Sequence, residues 1–170
     1  MKLSGKLLVA GLLLIGAIVI NWRYRPPEPS GVHYHAGFRI YIDGQLQDYS
    51  DLRYMNFTAC SEHTKRKSAA EEQIELAHLH DGVGDVVHIH REGAKWGDLL
   101  QNAGIELPND KPVTGYIEGV ENKDILTTPI KAYTTMIWVV GDGSGVDTTQ
   151  KVPIEHIQEV EAKSELCGSE

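Results

Sequence analysis

The pattern of apolar and polar positions changes at Val32, where strict alternation replaces a continuous apolar run. From Tyr34 to Ile42 every second residue is apolar, and the residues between them are mostly polar. This period of two predicts a β-strand with one apolar face and one polar face. Asp43-Gly44 follows directly and predicts a type I′ turn into a second strand over Gln45–Tyr49.

A second hairpin is predicted further along the chain. Leu76–His80 and Val86–His90 have the pattern of two strands joined by a glycine-containing loop around Val83. A loop of three or five residues places His78 opposite His88, and the apolar residues then share the other face. A loop of two or four residues shifts the pairing by one position and sends the two histidine pairs to opposite faces. The first register is preferred because it groups the apolar side chains.

Three helices are predicted, two of them from amphipathic periodicity. A short helix is expected at Ala69–Glu75, within a polar surface segment. Lys95–Ala103 carries apolar residues at the i, i+3, i+4 and i+7 spacing of a helix face, and Gly104 is placed to end it. Pro153 opens a last helix, which is expected to reach Glu165. The predicted inner stripe of that helix is Ile154, Ile157 and Val160.

Two further strands, Val113–Gly119 and Thr134–Val140, complete the predicted elements. Their order predicts an α+β fold, in which one or two helices pack on a mostly antiparallel sheet behind an N-terminal transmembrane helix. The short W-x-x-L-L-x-x-A-G helix after a hairpin resembles the helix of β-grasp domains.

The first 31 residues are predicted to lie outside this fold. Residues 1–6 are a basic segment, and residues 7–22 are an uncharged run that spans about 24 Å as a helix. We interpret this run as an uncleaved signal anchor because no small-x-small cleavage site follows it, a cleaved signal peptide being the alternative. Residues 23–31 are a proline-rich linker. A histidine-rich domain (32–150) and a C-terminal helix and tail (151–170) are then expected on the extracytoplasmic side of the cell membrane.

The net charge and the cysteine content limit which partners and which kinds of metal site are possible. The net charge of −8 and the lack of a basic patch argue against a nucleic-acid partner. The predicted partners are the membrane and a metal ion, and the sequence specifies no protein partner. Outside the cytoplasm, Cys60 and Cys167 can form a disulfide, two free thiols being the alternative. A disulfide would remove both sulfurs as ligands and exclude a blue-copper site.

Histidine-any-histidine pairs are the strongest chemical signal of the chain. Eight histidines placed at random would form roughly 0.3 such pairs, whereas this chain has three. The two imidazoles of an i, i+2 pair in a strand point to the same side, which supplies half of a transition-metal site. The paired histidines are His33, His35, His78, His80, His88 and His90.

These six imidazoles are the predicted metal ligands. Asp81 is predicted either to bind the metal or to accept the N–H of a ligating imidazole. Imidazole ligands suit copper and zinc equally, so the sequence does not separate the two metals. Because the histidines of the first strand occupy its polar face, they are predicted to lie outside the core.

Two other functions are compatible with this pattern. Three histidines and an open coordination position would make a zinc-type metalloenzyme, with Glu92, Asp81 or Asp85 as general base. No H-E-x-x-H or G-x-S-x-G motif is present, so no catalytic residue is assigned and a binding protein is preferred. A metal-free envelope domain, whose histidines form a pH-responsive surface, is the third hypothesis.

The motifs of residues 33–44 and 78–90, followed by the W-G-D-L-L helix of 96–100, resemble a widespread family of membrane-anchored bacterial and archaeal proteins. The shared patterns are H-x-H-A-x-F-x-I-Y-I-D-G in residues 33–44, and H-x-H-D followed by V-H-x-(H/E) in residues 78–90. The resemblance covers about the first two-thirds of the domain. It implies an extracytoplasmic, histidine-rich domain that binds metal, and it implies no reaction. The last motif position is commonly glutamate in that family and is His90 here.

Overall fold

The computed structural model describes residues 32–56 and 68–164. The predicted anchor, the linker and both cysteines lie outside these residues, so the anchor and the disulfide stay predictions. Within the described ranges, no helix combines the length and the apolar character needed to cross a membrane.

Six strands of the described part form one sheet, and the predicted α+β class is confirmed. The strands are β1 Tyr34–Ile42, β2 Gln45–Leu46, β3 Val86–Ile89, β4 Val113–Ile117, β5 Val120–Asn122 and β6 Thr135–Val140. The α-helices are α1 Ala69–Ile74, α2 Trp96–Asn102 and α3 Ile154–Ser164, with short 3-10 turns at Leu52–Tyr54 and Ile125–Thr127.

The sheet is mostly antiparallel, as predicted, with one parallel pair at its centre. Its order is β2-β1-β6-β4-β5, and β1 runs parallel to β6. Gly37 pairs with β6 on one side and with β3 on the other, and Tyr41 pairs in the same way with β6 and β2. The long strand β1 therefore carries both β2 and β3 along its second edge.

The first hairpin forms as predicted, but its second strand is shorter. Asp43 and Gly44 both have positive φ, 50° and 77°, as a type I′ turn requires. Strand β2 then ends at Leu46 rather than Tyr49. The carboxylate of Asp48 accepts the N–H of Ser50 at 2.9 Å, and such a local turn competes with the strand ladder.

The main core lies between the apolar face of the sheet and α2. Trp96 and Leu99 of α2 are fully buried, and the Trp96 ring meets that of Trp138 edge-on at 5.7 Å. Gly104 follows the helix at a φ of +63°, the left-handed conformation that commonly ends helices. The predicted amphipathic helix is thus confirmed in position and orientation.

Helix α3 packs on the opposite face of the sheet. Its buried residues Ile157 and Val160 contact a small cluster that includes Val86 of β3. The prediction that Ile154 belongs to the inner stripe is wrong, because Ile154 is 49% exposed. Val152, which precedes the helix, is buried in its place because it packs where Gly37 has no side chain.

Two other sequence expectations need correction. The predicted strand Leu76–His80 is not continuous; it makes single bridges from His78 to His88 and from Leu79 to Met55. Strand β5, which pairs with β4 across a short turn, was not predicted because three residues carry too little periodicity to be recognised.

Substitutions at Gly37 can test how α3 is held against the sheet. A Cβ at Gly37 would lie 2.5 Å from the Val152 Cβ, so Gly37→Ala should lower the free energy of unfolding by about 1–3 kcal/mol. Urea denaturation of the single and double variants measures this. In the double variant with Val152→Gly the clashing Cβ is absent, so the two losses should fall short of additivity by about 1 kcal/mol. Strict additivity would contradict this packing.

Candidate metal centre

Strand pairing places three histidines in one row across the sheet. His35 of β1 lies opposite His88 of β3, and His88 lies opposite His78. The backbones of His78 and His88 exchange two hydrogen bonds of 3.0 and 2.9 Å. Since residues directly opposite each other share a face, the three imidazoles project to the same side. The predicted register, in which a loop of three or five residues places His78 opposite His88, is therefore the one that forms.

The other paired histidines border this row. His33 stacks on His90 with ring centroids 5.0 Å apart and an interplanar angle of 2°. His80 turns its ring towards His88, with centroids 4.3 Å apart. We call these six residues the histidine cluster: His33, His35, His78, His80, His88 and His90. The structure thus brings together every histidine that the paired motifs predicted.

The prediction that the histidines of the first strand lie outside the core is wrong for His35, which is buried, whereas His33 is exposed. His35, His78 and His88 are 0%, 5% and 1% exposed, and His80 is also buried. The polar face of β1 is covered by α3 and by the histidine rings themselves, which pack against one another. Sequence alternation distinguishes the two faces of a strand but does not reveal what covers each face.

Oxygen acceptors fix the orientation of two buried imidazoles. Nδ1 of His78 is 3.0 Å from the carbonyl oxygen of Ile74, and Nδ1 of His80 is 2.6 Å from a carboxylate oxygen of Asp81. Since these oxygens only accept, each Nδ1 carries the proton and donates it. The Nε2 atoms of His78 and His80 then keep their lone pairs, as metal-ligating histidines do.

His88 lies at the centre of the cluster. Its Nδ1 faces Nε2 of His35 at 2.9 Å and makes a closer contact with Nε2 of His80, while its Nε2 faces Nε2 of His90 at 2.5 Å. Within the described residues, every hydrogen-bond partner of the His88 ring is thus another imidazole nitrogen. One neutral imidazole has one proton for these three contacts, whereas a cation accepts several lone pairs at once.

A carboxylate that the sequence did not indicate lies beside His35. Oε1 of Glu161 is 3.9 Å from Nδ1 of His35, a buried atom with no hydrogen-bond partner in the described part of the chain. Tyr133 donates its hydroxyl to the other oxygen of Glu161 at 2.5 Å. The negative charge favours a proton on Nδ1 of His35 and leaves Nε2 free towards His88. Only the helical position of Glu161, next to the buried Val160, could have suggested this contact.

Two groups of three donors have the geometry of a metal site. The outer triad is His33, His35 and His88, and the inner triad is His78, His80 and His88. Within each triad the donor nitrogens all lie within 4.8 Å of one another. Small side-chain shifts bring such donors to the distance of about 2.0–2.1 Å at which imidazoles bind Zn²⁺. The histidine cluster can therefore hold a metal ion.

No acidic residue belongs to either triad in the described ranges. Asp81 contacts His80 from outside the inner triad. Asp85 pairs instead with His156 at 3.0 Å, and Glu92 is exposed. The structure therefore does not bring Asp85 or Glu92, two of the predicted general bases, into the cluster.

Burial lowers the pKa of the central histidines. Desolvation, reinforced by the neighbouring imidazoles, lowers the pKa of His35 to about 3 and that of His78 to about 4. The pKa of His88 is also lowered, mainly by desolvation. These rings are therefore neutral at pH 7, which is the protonation state that binds metals.

No protein-family profile, curated protein or solved structure matches this chain. The function of the histidine cluster is therefore inferred from its own geometry and chemistry.

The lowered pKa values predict that acid destabilises the metal-free protein. Below pH 6.5 the unfolded chain binds protons that the folded His35 and His78 exclude, down to pKa values of about 3 and 4. The stabilisation is complete above pH 6.5 and should fall by about 2–4 kcal/mol between pH 7 and pH 5.

Urea denaturation in the presence of a chelator, at several pH values, measures this loss. His78→Gln removes one titrating group, so the slope of unfolding free energy against pH should become shallower. Stability that stays constant or rises on acidification would contradict the assignment of neutral, buried imidazoles.

Proposed function

We propose that this protein binds a transition-metal ion, Zn²⁺ or Cu²⁺, through the histidine cluster. The proposal rests on a single observation: three imidazole nitrogens contact the ring nitrogens of His88. A neutral His88 has only one N–H proton, so it cannot donate a hydrogen bond in each of these contacts. The oxygen acceptors at Nδ1 of His78 and His80 support it, since they direct the Nε2 lone pairs into the cluster.

The donor set favours zinc or oxidised copper over Cu(I). Imidazole nitrogen suits Zn²⁺, Cu²⁺ and Ni²⁺, whereas thioether and thiolate sulfur select Cu(I). Met55 and Met136 both belong to the apolar core on the face opposite the histidines. Neither thioether is therefore placed to join the cluster.

A binding protein fits the cluster better than a hydrolytic enzyme. A catalytic zinc site commonly uses three protein ligands and keeps a fourth position for water. Here six imidazoles crowd together, and neither Asp85 nor Glu92 belongs to either triad. The third candidate base, Asp81, uses its carboxylate to accept the Nδ1 proton of His80. A zinc-type enzyme built on one triad is the alternative, and a metal-free interaction domain is the third candidate.

We further propose that residues 7–22 anchor the domain in the cell membrane and that the cluster faces the extracytoplasmic side. The uncharged run flanked by basic residues and the resemblance to membrane-anchored bacterial and archaeal proteins support this location. The β-grasp relationship is also a proposal. The central parallel pair of β1 and β6 and the α2 helix packed on the sheet support it.

The shared ligand His88 gives the most direct test. The full chain, purified without a histidine tag, should bind at least one Zn²⁺ or Cu²⁺, and His88→Gln should lose most of this metal because both triads contain His88. His156→Gln is the matched control, since His156 pairs with Asp85 outside the cluster. Metal analysis after equilibrium dialysis measures the content of each protein.

The melting temperature distinguishes metal binding from the metal-free hypothesis. A ligand that binds only the folded state stabilises it by about 2.7 kcal/mol at a hundred times its Kd, so metal should raise Tm in the wild type and the control. Equal metal content in wild type and His88→Gln, or an unchanged wild-type Tm, would refute the proposal.

Asp81 should support binding without being a ligand. Asp81→Asn removes the carboxylate that accepts the Nδ1 proton of His80, and metal affinity should fall by about 10–100-fold while the stoichiometry is kept. Asp85→Asn is the matched control in the same loop, because its partner is His156. Competition with a chelator of known affinity gives both Kd values. Equal losses in the two variants would argue against a specific role for Asp81.

A further inference from the structure

We propose that the two triads are successive positions of a single ion, which is loaded at the outer triad and passed to the inner triad through His88. This inference rests on the proposed metal binding and assigns an order to the ligands. It makes the metal an exchangeable cargo rather than a fixed structural element.

The two triads compete for one lone pair of His88. Nε2 of His35, from the outer triad, and Nε2 of His80, from the inner triad, both face Nδ1 of His88. A nitrogen lone pair binds one ion. An ion held between His35 and His88 would occupy Nδ1 of His88, which an ion bound to His80 would also need. The triads are therefore alternative positions, and mutual repulsion of two cations this close disfavours filling both.

The two triads differ in their exposure to solvent. His33 of the outer triad is exposed, whereas all three residues of the inner triad are buried. An ion arriving from solvent meets His33 first, and the net charge of −8 favours its approach. The outer triad is thus the accessible position and the inner triad the protected one.

The imidazoles of the two triads also differ in how their orientation is restrained. Among the described residues, the His33 imidazole makes ring contacts with His35, His88 and His90 but no hydrogen bond. In the inner triad, Nδ1 of His78 and of His80 each donate to an oxygen. A ring without such a restraint can turn towards solvent to capture an ion, and restrained rings retain it.

The transfer itself exchanges one neutral imidazole for another. The ring centroids of His33 and His78 lie 4.7 and 5.0 Å from that of His88, on either side of the shared ligand. With His88 bound throughout, His80 and His78 can replace His35 and His33 one at a time. The charge and oxidation state of the ion do not change, and no proton has to leave the cluster.

Loading kinetics test this order. The metal-free full chain is mixed with Zn²⁺ in a stopped-flow instrument, with a chromophoric chelator reporting free Zn²⁺, and release is started by excess chelator. In His33→Gln, loading and release should both slow by about tenfold, with the stoichiometry kept at one ion and Kd nearly unchanged. In His80→Gln, loading should stay within about twofold, whereas release should accelerate by about tenfold or more. His156→Gln should match the wild type in both rates.

The outcomes separate this inference from the proposed function. Wild-type loading in His33→Gln, or two Zn²⁺ ions bound per chain at saturation, would overturn the ordered path and leave metal binding intact. Failure of the wild type to bind Zn²⁺ or Cu²⁺ would remove both proposals. Since His33 is exposed, its replacement should not impair folding, so the decisive variant remains interpretable even if His80→Gln is destabilised.

Discussion

The pairing of β3 with β1 is the constraint on which the candidate site depends. It places His35 opposite His88, and the bridge between His88 and His78 extends the same row by one segment. A shift of one residue in either pairing would turn the imidazoles of one strand to the apolar face of the sheet, and the histidine cluster would not form. The apolar residues Ala36 and Val87 oppose such a shift, because they would have to leave the core.

The energetic cost of the cluster explains its form. Burying imidazoles without oxygen or water partners is unfavourable, and gathering them lowers their pKa values further through mutual repulsion. The imidazoles are buried where α3 covers the sheet. The carboxylates of Asp81 and Glu161 lie next to Nδ1 of His80 and Nδ1 of His35, and they orient these two rings. A bound cation would convert the repulsion between lone pairs into coordination, and folding would then be coupled to metal binding.

The rest of the fold keeps the site rigid. Strand β1 is held on one edge by the parallel strand β6, and its opposite edge carries β3 with His88. On one face the two tryptophans of the core pack beneath the sheet, and on the other Val152 packs over Gly37 and brings α3 close to His35. Side chains placed on paired strands and fixed by packing are held in a defined geometry.

Local rules determined much of this protein from sequence alone. Alternation with a period of two identified β1 and both of its faces, Asp43-Gly44 identified the turn, and the apolar spacing after Lys95 identified α2. The register of His78 with His88 also followed, since only a loop of three or five residues grouped the apolar side chains. These features depend on neighbours in the chain, and backbone geometry translates such neighbours directly into structure.

Only the tertiary structure decided what surrounds the histidines. Three features depend on contacts between residues that are far apart in sequence. They are the burial of His35, the position of Glu161 beside it, and the packing of Val152 instead of Ile154 under α3. The meeting of His35 with His88 likewise required β3 to pair with β1 rather than with another strand. Periodicity shows which way a side chain points, but the element that covers it is selected by packing of the whole chain.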